Sequence, residues 1–484
     1  MTLLNPDIWS GKLFTGTWSS SGETGTATDP ATQAELGSWG MPSADDVRAS
    51  AQSAARAQRD WAARPPSERA AVLRKAGMLF EEHAAEIEQW IVQESGAIAP
   101  KAQLETHIAA EECYEASALP THPIGEVLST DKPHWSIARR RAAGVVSVIA
   151  PFNFPLILSI RAVAPALALG NAVLLKPDPR TAVCGGVVLA RIFEEAGLPE
   201  GLLHLLPGGA EIGQATITAP ETRVVAFTGS TPAGRKIGAL CAEHLKRAHL
   251  ELGGNNAMVV LPGADIEKAV SAAAFGSFMH QGQICMTTGR HIIHEDIYDE
   301  YASALAEKAD GIMVGRPSES GVMMGPIIDE NQLKRVDSIV QDGLVQGAQL
   351  LAGGTHDGLF YRPTVLGNVA SDNPAWCDEI FGPVAPLAPV SSVEEAVRLA
   401  NDSQFGLSLS VLGPVSEAIA VADAFDSGIV HINESTVADE ATAPFGGTKD
   451  SGNGSRHGGA AANIEAFTET QWLTVSGNIP PYPF

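Results

Sequence analysis

The feature that most constrains the fold of this chain is an alternation, from Val145 onward, of short apolar runs with helical stretches. Apolar runs of four to six residues between helical patterns indicate strands buried on both faces, which occur in parallel sheets. The runs are 145–150, 172–175, 203–206 and 224–227, followed later by 257–261, 290–294 and 428–432. The spacing predicts helices near 265–280, 296–309, 329–346, 392–401 and 414–424. The pattern therefore predicts an α/β protein with two successive α/β units.

The region before Val145 is predicted to be largely helical after an extended opening rich in Gly, Ser and Thr. Ser43-Ala-Asp-Asp46 offers a capping box for a first helix. Pro65-Pro66 ends that helix, and apolar spacing predicts one longer helix to about Glu94 and a third over 101–118. The segment 120–141 turns extended and polar, which indicates a strand excursion away from the main body.

Charge and cysteine usage exclude several classes of protein. The formal net charge of −24 argues against nucleic acid or an anionic membrane surface as a partner. The only basic run, Arg139-Arg-Arg141, is better explained by a solvated strand edge or by salt bridges. Five widely spaced cysteines without a CxxC pair predict neither a disulfide framework nor a zinc site, so a reducing cytoplasm is expected. We find neither a secretion signal nor an apolar run of membrane-spanning length.

One cysteine stands in a setting that suggests chemistry. Cys285 lies in Phe278-Met-His-Gln-Gly-Gln-Ile-Cys-Met286, behind a glycine and two amides. A cysteine attacks as the thiolate, so it needs a base or electropositive surroundings. A lone cysteine is more often a buried structural residue, and its partners elsewhere in the chain must decide.

Polar residues follow four of the predicted strands, at the sheet edge where ligands of open α/β sheets bind. Asn153 follows the first run within Pro151-Phe-Asn-Phe-Pro155 and could donate to an oxyanion. Lys176 leaves the second run and could bind a ribose or phosphate, although it could equally extend to solvent. Glu251 ends an apolar strand, where a raised pKa would suit a general base.

The fourth place is the glycine turn Phe227-Thr-Gly-Ser-Thr-Pro-Ala-Gly234, in which Pro232 opens a helix. Glycine would let the backbone approach a pyrophosphate, while Ser230 and the helix N-terminus supply donors. The same turn would also serve as a plain strand-to-helix connection.

The order of these motifs resembles that of the aldehyde dehydrogenase superfamily over nearly the full length. The motifs are Pro151-Phe-Asn-Phe-Pro155, Lys176-Pro177, Phe227-Thr-Gly-Ser230, Glu251-Leu-Gly-Gly254, Gln281-Gly-Gln-Ile-Cys285, Glu379-Ile-Phe-Gly-Pro383 and Pro444-Phe-Gly-Gly447. Within the superfamily, the Gly253-Gly-Asn-Asn256 variant, the His280–Met286 block and the Tyr482-Pro-Phe484 ending most resemble bacterial benzaldehyde and vanillin dehydrogenases.

The resemblance implies three domains. They are a Rossmann-type nicotinamide dinucleotide-binding domain (1–119 and 143–253), an α/β catalytic domain (254–467) and a small β oligomerisation domain (120–142 and 468–484). It implies a homodimer or homotetramer acting on a small aldehyde. It also implies that Cys285 attacks the aldehyde, that the Asn153 amide and the Cys285 backbone N–H hold the oxyanion, and that Glu251 activates water against the thioester formed by hydride loss.

The resemblance also assigns two sets of contacts. The cofactor contacts it implies are Phe152, Lys176, Pro179, Gly209, Gly229, Ser230, Leu252, Glu379, on the nicotinamide ribose, and Phe381, beside the ring. The substrate tunnel it implies is lined by Phe154, Leu158, Arg161, Met279, Met286 and Phe445. Arg161 would meet a ring substituent or pair with a structural acid, and the apolar members could equally be core residues.

Two positions depart from the family pattern. Pro179 stands where many members carry a carboxylate on the adenosine ribose, so NADP is expected to be accepted as well as NAD. Lys176 or Arg180 could meet a 2′-phosphate, and Asp178 would oppose it. NAD is expected to be preferred because the aryl aldehyde dehydrogenases that the chain most resembles use NAD. His457 stands where many members have a glutamate proposed to relay protons, so the proton route is expected to differ.

Two rival functions remain open at this point. An aliphatic or semialdehyde dehydrogenase would use the same three catalytic residues, and only the pocket wall separates it from an aryl aldehyde dehydrogenase. A catalytically silent scaffold of the same fold is disfavoured because Cys285, Glu251 and Asn153 are all present.

Overall fold

A computed structural model describes residues 2–483, so Met1 and the final Phe484 of the Tyr482-Pro-Phe484 ending lie outside the described residues. The α/β character predicted from the apolar runs is confirmed. The helices are Pro6–Trp9, Ala44–Ala63, Pro66–Glu82, Ala84–Ser95, Ala99–Ala118, Pro155–Ala168, Val188–Ala196, Ala210–Thr218, Thr231–Glu243, Ile266–Phe278, Glu295–Asp310, Glu330–Val345, Pro374–Cys377, Val393–Asn401, Val415–Ala422 and Ala460–Phe467.

The start of the second helix forms as its sequence indicates. The Ser43 hydroxyl accepts from the Asp46 backbone N–H at 3.2 Å, and the Asp46 carboxylate accepts from the Ser43 backbone N–H at 2.8 Å. These two bonds satisfy donors that a helix start leaves open. Val47, Ala51, Ala54 and Trp61 are buried along one face of this helix. The capping-box prediction is therefore confirmed.

The single helix predicted to run to about Glu94 is wrong, because the chain breaks at His83. Pro66–Glu82 and Ala84–Ser95 are separate helices, and His83 between them has φ −103° and ψ 15°. Its backbone N–H donates to the Leu79 carbonyl, while its own carbonyl accepts from Ile87. The sequence did not predict this break, because apolar residues at helical spacing continue across it and still face the core. Phe80 before the break and Ile87 after it are both fully buried.

The first large sheet has seven strands and reverses its order in the middle. The five parallel strands lie in the order Arg247–Glu251, Thr222–Thr228, Val145–Ile149, Ala172–Lys176, Leu203–Leu205, and antiparallel Lys12–Phe14 and Trp18–Ser20 complete the edge. The reversal falls between Val145–Ile149 and Thr222–Thr228, which pair in parallel although they are distant in sequence. In a doubly wound sheet the crevice at such a reversal binds ligands.

The second large sheet also has seven strands, six of them parallel. Its order is Gln349–Ala352, Thr364–Gly367, Val384–Val390, Thr288–His294, Asn256–Val260, Ser408–Leu412, Ile429–Ile432, with only Gln349–Ala352 antiparallel. The sequence pattern predicts three of these strands and misses the other four, Gln349–Ala352, Thr364–Gly367, Val384–Val390 and Ser408–Leu412. In Val384–Val390, Pro386 and Pro389 lower the strand propensity. Two α/β units therefore follow one another in the chain, as predicted.

The extended excursion predicted for 120–141 forms a three-stranded antiparallel sheet with the C-terminal strand. Thr468–Val475 pairs with Trp135–Ala142, which pairs with Gly125–Leu128. The remaining strands form two-stranded ladders: Glu23–Thr28 with Glu35–Met41, His356–Asp357 with Phe360–Tyr361, and Phe405–Gly406 with Thr448–Lys449. Within residues 2–483 no helix combines the length and apolarity needed to cross a membrane.

Candidate active site

Asn153 and the glycine turn lie at the carboxyl end of the first sheet, where the strand order reverses. Asn153 follows the strand Val145–Ile149, and Gly229 follows its neighbour Thr222–Thr228. The Asn153 side chain is 3 % exposed and lines a cavity of about 730 Å³. That cavity also contains Cys285. The fold therefore brings the predicted nucleophile and the predicted oxyanion donor to one wall.

Cys285 is presented by a turn with left-handed backbone that comes before a strand, whereas the other candidates follow strands. His280 and Gln281 have φ of 48° and 58°, and Gly282 continues the turn at φ 64°. Non-glycine residues in this region cost about 1–2 kcal/mol each, so surrounding contacts must hold them. The Gln281 amide donates to the Gly96 carbonyl at 3.0 Å. A Cβ on Gly282 would lie 2.1 Å from the Gly382 carbonyl oxygen, which explains the glycine.

The backbone around Cys285 is clamped by Asn256, a residue to which the sequence assigned no role beyond its variant motif. The Asn256 amide donates to the carbonyl oxygens of Cys285 and Thr287, both at 2.8 Å. Its own oxygen accepts from the Ser408 backbone N–H at 3.0 Å. Gly254 packs so closely that a Cβ there would lie 2.4 Å from the Cys285 carbonyl oxygen. The Gly-Gly-Asn-Asn segment thus fixes the nucleophile's main chain.

The surroundings of the Cys285 thiol are acidic, not electropositive. Burial, together with the carboxylates of Glu379, Glu251 and Asp439 and against the opposing charge of Arg161, raises its pKa to about 12. The thiol is therefore protonated near neutral pH in this state of the protein. Of the two routes to a thiolate considered from the sequence, the structure favours a base.

Glu251 is a buried carboxylate without a hydrogen-bond partner in the described part of the chain. It ends the strand Arg247–Glu251 and is 3 % exposed, and neither carboxylate oxygen has a partner. Burial raises its pKa well above the ordinary value, although the charges of Arg456 and Arg161 oppose the shift. A buried acid with a raised pKa can hold or accept a proton near neutral pH, which suits a general base.

A second, much smaller cavity separates Glu251 from His457. Its volume is about 10 Å³, and Leu158, Arg161 and Phe445 complete part of its wall. That is close to the space one water molecule needs, and its wall supplies polar partners. Burial lowers the pKa of His457 to about 3, its Nδ1 has no partner among the described residues, and its ring lies 5.8 Å from that of His249. A water molecule in this cavity would lie next to both Glu251 and His457.

The six residues assigned to the substrate tunnel all line the large cavity, namely Phe154, Leu158, Arg161, Met279, Met286 and Phe445. The cavity also takes residues that sequence reasoning missed, including Ile157, Ile284, His431, Val437 and Asp439. Those from the segment 434–445 belong to a loop without periodicity, so no pattern could have pointed to them. The wall next to Cys285 is mostly apolar.

Arg161 pairs with two acids at the edge of this cavity. Its Nε donates to Glu112 at 2.8 Å, and its Nη2 lies 2.5 Å from an Asp439 oxygen. The guanidinium also lies over the Phe445 ring at 5.2 Å. Pairing with structural acids, one of the two alternatives, is therefore observed. Nη1 is buried without a partner in the described residues, so a contact with a ring substituent stays a prediction.

The groups assigned to a dinucleotide form a cradle with little spare room at two glycines. A Cβ on Gly229 would lie 2.5 Å from the Phe227 ring, and one on Gly253 would lie 2.3 Å from a Glu379 oxygen. Glu379 accepts from the Gly254 backbone N–H at 2.9 Å, and burial raises its pKa to about 7. Ser230 caps the helix Thr231–Glu243 without using its hydroxyl for the cap. These donors and acceptors fit a ribose and a pyrophosphate.

The other assigned cofactor residues lie around the same sheet edge. Lys176 ends its strand and is 8 % exposed, and burial lowers its pKa. Phe152 and Phe381 meet edge to face with centroids 5.9 Å apart. Gly209 precedes the helix Ala210–Thr218. The remaining contact, Leu252, packs against Gly234, where a Cβ would lie 2.2 Å from it.

Arg180 is held away from the role in 2′-phosphate binding considered for it. Its Nε and Nη2 donate to the two Asp178 oxygens at 2.9 and 2.8 Å, and its Nη1 donates to Asp329 at 2.7 Å. Its guanidinium also lies 4.1 Å from the Phe152 ring centroid. Pro179, between Asp178 and Arg180, is partly exposed at the start of a 3₁₀ turn. A phosphate near Pro179 would have to compete with two carboxylates for this arginine.

Comparison with known proteins points to one family over nearly the whole chain. The model of the aldehyde dehydrogenase family matches residues 18–473. A vanillin dehydrogenase of Amycolatopsis sp. is 57% identical over 486 residues, covering 100% of both chains. The benzaldehyde dehydrogenase (NAD(+)) of Pseudomonas putida is 45% identical over 480 residues, covering 99% of this chain and 98% of that protein. A salicylaldehyde dehydrogenase from Pseudomonas putida G7, solved with salicylaldehyde, is 37% identical with a TM-score of 0.94, covering 98% and 99% of the chains.

Proposed function

Because the chain belongs to the aldehyde dehydrogenase family, we propose that it oxidises an aromatic aldehyde to the carboxylic acid, with NAD as the hydride acceptor. The family resemblance and the fold predicted from the sequence are confirmed, and the chain is an NAD(P)-dependent aldehyde dehydrogenase. One observation carries the choice of substrate. The cavity that contains Cys285 and Asn153 has an apolar wall with Phe154 and Phe445, and the relatives named for vanillin, benzaldehyde and salicylaldehyde share this chain's length.

The first chemical step is attack of the Cys285 sulfur on the aldehyde carbon. Because burial raises the pKa of the Cys285 thiol to about 12, the thiol loses its proton as the carbon–sulfur bond forms, and Glu251, a buried carboxylate with a raised pKa, takes that proton. The new oxyanion is held by the Asn153 amide and the Cys285 backbone N–H. When bound, the oxidised nicotinamide supplies the acceptor for the hydride that leaves this thiohemiacetal. Cys285 then carries the acyl group as a thioester.

The second step is hydrolysis of that thioester. Glu251 takes a proton from a water molecule, which attacks the acyl carbon and releases the Cys285 thiolate and the carboxylic acid. The small cavity between Glu251 and His457 supports this role because it has room for about one water. The proton that Glu251 takes from the thiol has to leave before Glu251 can accept one from water. The neighbouring rings of His457 and His249 offer unpartnered nitrogens, among the described residues, along which each proton can pass on toward solvent.

The groups that would hold the dinucleotide are Lys176, Gly229, Ser230 and Glu379, with Phe152 and Phe381 near the nicotinamide. NAD is proposed as the preferred cofactor because Arg180 is already bound by Asp178 and Asp329 and is not free to receive a 2′-phosphate. NADP remains acceptable in this proposal, since Pro179 contributes no carboxylate that would repel it. Glu379, with a pKa of about 7, would accept from the nicotinamide ribose hydroxyls.

Assembly into a homodimer or homotetramer is proposed from the three-stranded sheet. This sheet exposes large apolar side chains on both faces, Val127 (69 %) and Trp135 (66 %) on one and Trp472 (69 %) on the other. Its two outer strands, Gly125–Leu128 and Thr468–Val475, also leave unpaired edges. Exposed apolar sheets with open edges are typical of interfaces. The domain limits 1–119 with 143–253, 254–467, and 120–142 with 468–484 belong to the same proposal, as does a cytoplasmic location.

The proposed function is tested by an aldehyde panel assayed with both cofactors. Benzaldehyde or a hydroxylated relative should give a higher kcat/KM than acetaldehyde or succinic semialdehyde, as followed by the absorbance of the reduced cofactor. A preference of about tenfold for a short aliphatic aldehyde, or about 1.4 kcal/mol of transition-state binding, would contradict it. A protein that binds NAD but reduces none with any aldehyde would instead be a silent scaffold.

A further inference from the structure

The helix Ala99–Ala118 carries a buried ion pair that the proposed mechanism does not use. Lys101 and Glu105 lie one helical turn apart, both are fully buried, and the Lys101 ammonium donates to Oε2 of Glu105. Burial lowers the pKa of Lys101, while Glu105 opposes that shift. A buried ion pair is weak evidence of stabilisation, because desolvation of both charges offsets their attraction. Stabilisation of the fold alone therefore does not account for this ion pair.

Glu105 caps the N-terminus of a different helix, Pro155–Ala168. Its Oε1 accepts from the backbone N–H of Leu156 at 2.8 Å and of Ile157 at 3.4 Å. The N-cap residue of that helix, Phe154, provides no side-chain cap of its own. A helix start leaves several backbone N–H groups without acceptors and favours a negative charge nearby. Glu105, from a different helix, supplies the acceptor and the charge that the residues at this helix start do not provide. Asn153 immediately precedes this cap residue.

The ring of Phe154 is held by the same cluster. The Lys101 ammonium lies 4.3 Å from the Phe154 ring centroid, and the His280 ring meets it edge-on at 5.6 Å. A cation over the face of an aromatic ring is attracted to it, and more strongly when the pair is desolvated. His280 belongs to the left-handed turn before Cys285. One cluster thus touches both the residue beside Asn153 and the turn that leads to the nucleophile.

The Asn153 amide makes no hydrogen bond of its own with residues 2–483 and lines the cavity that holds Cys285. Its direction is therefore set by its backbone and by packing. We propose that Lys101 and Glu105 are positioning residues that hold the Asn153 amide toward the oxyanion by fixing the start of the helix Pro155–Ala168. This inference rests on the proposed function, in which Asn153 contacts the reacting oxygen.

The test compares two neutral double variants that differ in one acceptor. Lys101→Met with Glu105→Gln, called the Gln pair, removes both charges but keeps an oxygen for the Leu156 N–H. Lys101→Met with Glu105→Leu, called the Leu pair, removes that oxygen as well. Each double variant is made with Asn153 intact and with Asn153→Ala, and all are assayed with benzaldehyde and NAD, with kcat normalised to the Cys285 thiol titrated in the folded protein. Replacing both charges together avoids the cost of an unpaired buried ion.

The Gln pair should retain kcat within about threefold of wild type. The Leu pair should lose at least about tenfold in kcat with the aldehyde KM little changed, because a displaced oxyanion donor reduces stabilisation of the transition state more than binding of the aldehyde. In the Asn153→Ala background the Leu pair should cause no further loss. Equal effects of the two pairs, losses that multiply with Asn153→Ala, or an Asn153→Ala variant as active as wild type would each overturn the inference. A wild-type protein without turnover would instead contradict the proposed function, and this inference with it.

If the Leu pair does not fold, Glu105→Asp with Lys101 intact provides the second measurement. Aspartate keeps the charge but is one methylene shorter, so it reaches the Leu156 N–H less well. Its kcat should fall between those of wild type and Asn153→Ala, again without a further loss in the Asn153→Ala background. A multiplicative loss in that background would overturn the inference.

Discussion

The side-chain amide of Asn256 donates to the carbonyl oxygen of Cys285 at 2.8 Å and to that of Thr287 at the same distance. The nucleophile's main chain is thereby tied to the first strand of the second sheet, Asn256–Val260. Since the Cys285 backbone N–H is a proposed oxyanion donor, this clamp bears on the transition state as well as on stability.

Asn256→Ala should lower kcat by about tenfold or more, because a small displacement of the Cys285 backbone misplaces both the nucleophile and a donor. It should also lower the free energy of unfolding by about 1–3 kcal/mol for the buried groups left unpaired. The matched control is Asn255→Ala, which removes an equally buried amide that donates to the Trp376 carbonyl at 2.7 Å. Denaturant unfolding should show losses in both variants. Equal losses of kcat in both would show that Asn256 has no special bearing on Cys285.

Cys285→Ala should abolish turnover while leaving NAD affinity largely intact, because the thiol carries the covalent step and does not hold the dinucleotide. The control is Cys377→Ala, which removes an exposed thiol outside the cavity and should keep wild-type kcat. Reduced-cofactor absorbance and a cofactor titration measure the two properties. Near-normal turnover of Cys285→Ala would disprove the covalent mechanism.

Glu251→Gln should acylate and then hydrolyse slowly, because the amide cannot accept the proton of the attacking water. We expect a pre-steady-state burst of reduced cofactor followed by slow turnover, and an acyl mass adduct on Cys285. If hydride transfer itself limits the variant, the burst disappears, and the mass adduct then decides. Steady-state turnover equal to that of wild type would exclude Glu251 as the base.

The pH dependence should follow the raised pKa of Glu251. A base acts in its ionised form, and burial raises the pKa of this carboxyl well above its ordinary value, so hydrolysis should slow as the pH falls through that raised pKa. Single-turnover deacylation followed between pH 5 and 9 should therefore show an acid limb in wild type, at a pH well above the ordinary range for glutamate. The limb should vanish in Glu251→Gln. Its persistence there would assign it to another group.

Pro179→Glu should depress the use of NADP more than that of NAD, because a carboxylate near the adenosine ribose accepts from hydroxyls and repels a 2′-phosphate. Pro179→Gln is the control of matched size without charge, and it should change the ratio much less. The measurement is kcat/KM for both cofactors in the three proteins. An unchanged ratio in Pro179→Glu would show that this position does not face the ribose.

The sequence determined the architecture and the placement of most candidate site residues. Buried parallel strands can be recognised from their apolar composition, and ligands bind at their carboxyl ends, so Asn153, Lys176 and Ser230 could be located from the apolar runs. Glu251 was located from the short strand that it ends, which is not one of those runs. The roles of these residues in catalysis and cofactor binding stay predictions. Cys285 precedes its strand, so strand-end reasoning would not have found it; its glycine and amide setting singled it out, and the resemblance gave it a role.

The tertiary structure alone decided the environment of these residues. The pairing of Arg161 with Glu112 and Asp439, the clamp of Asn256 on Cys285 and the capture of Arg180 by Asp329 all join residues far apart in sequence, and no local pattern encodes such pairs. The break at His83 was likewise hidden beneath continuous apolar spacing. The protonation of Cys285 and Glu251 depends on how far water is excluded and which charges lie nearby, and both are properties of the packed chain.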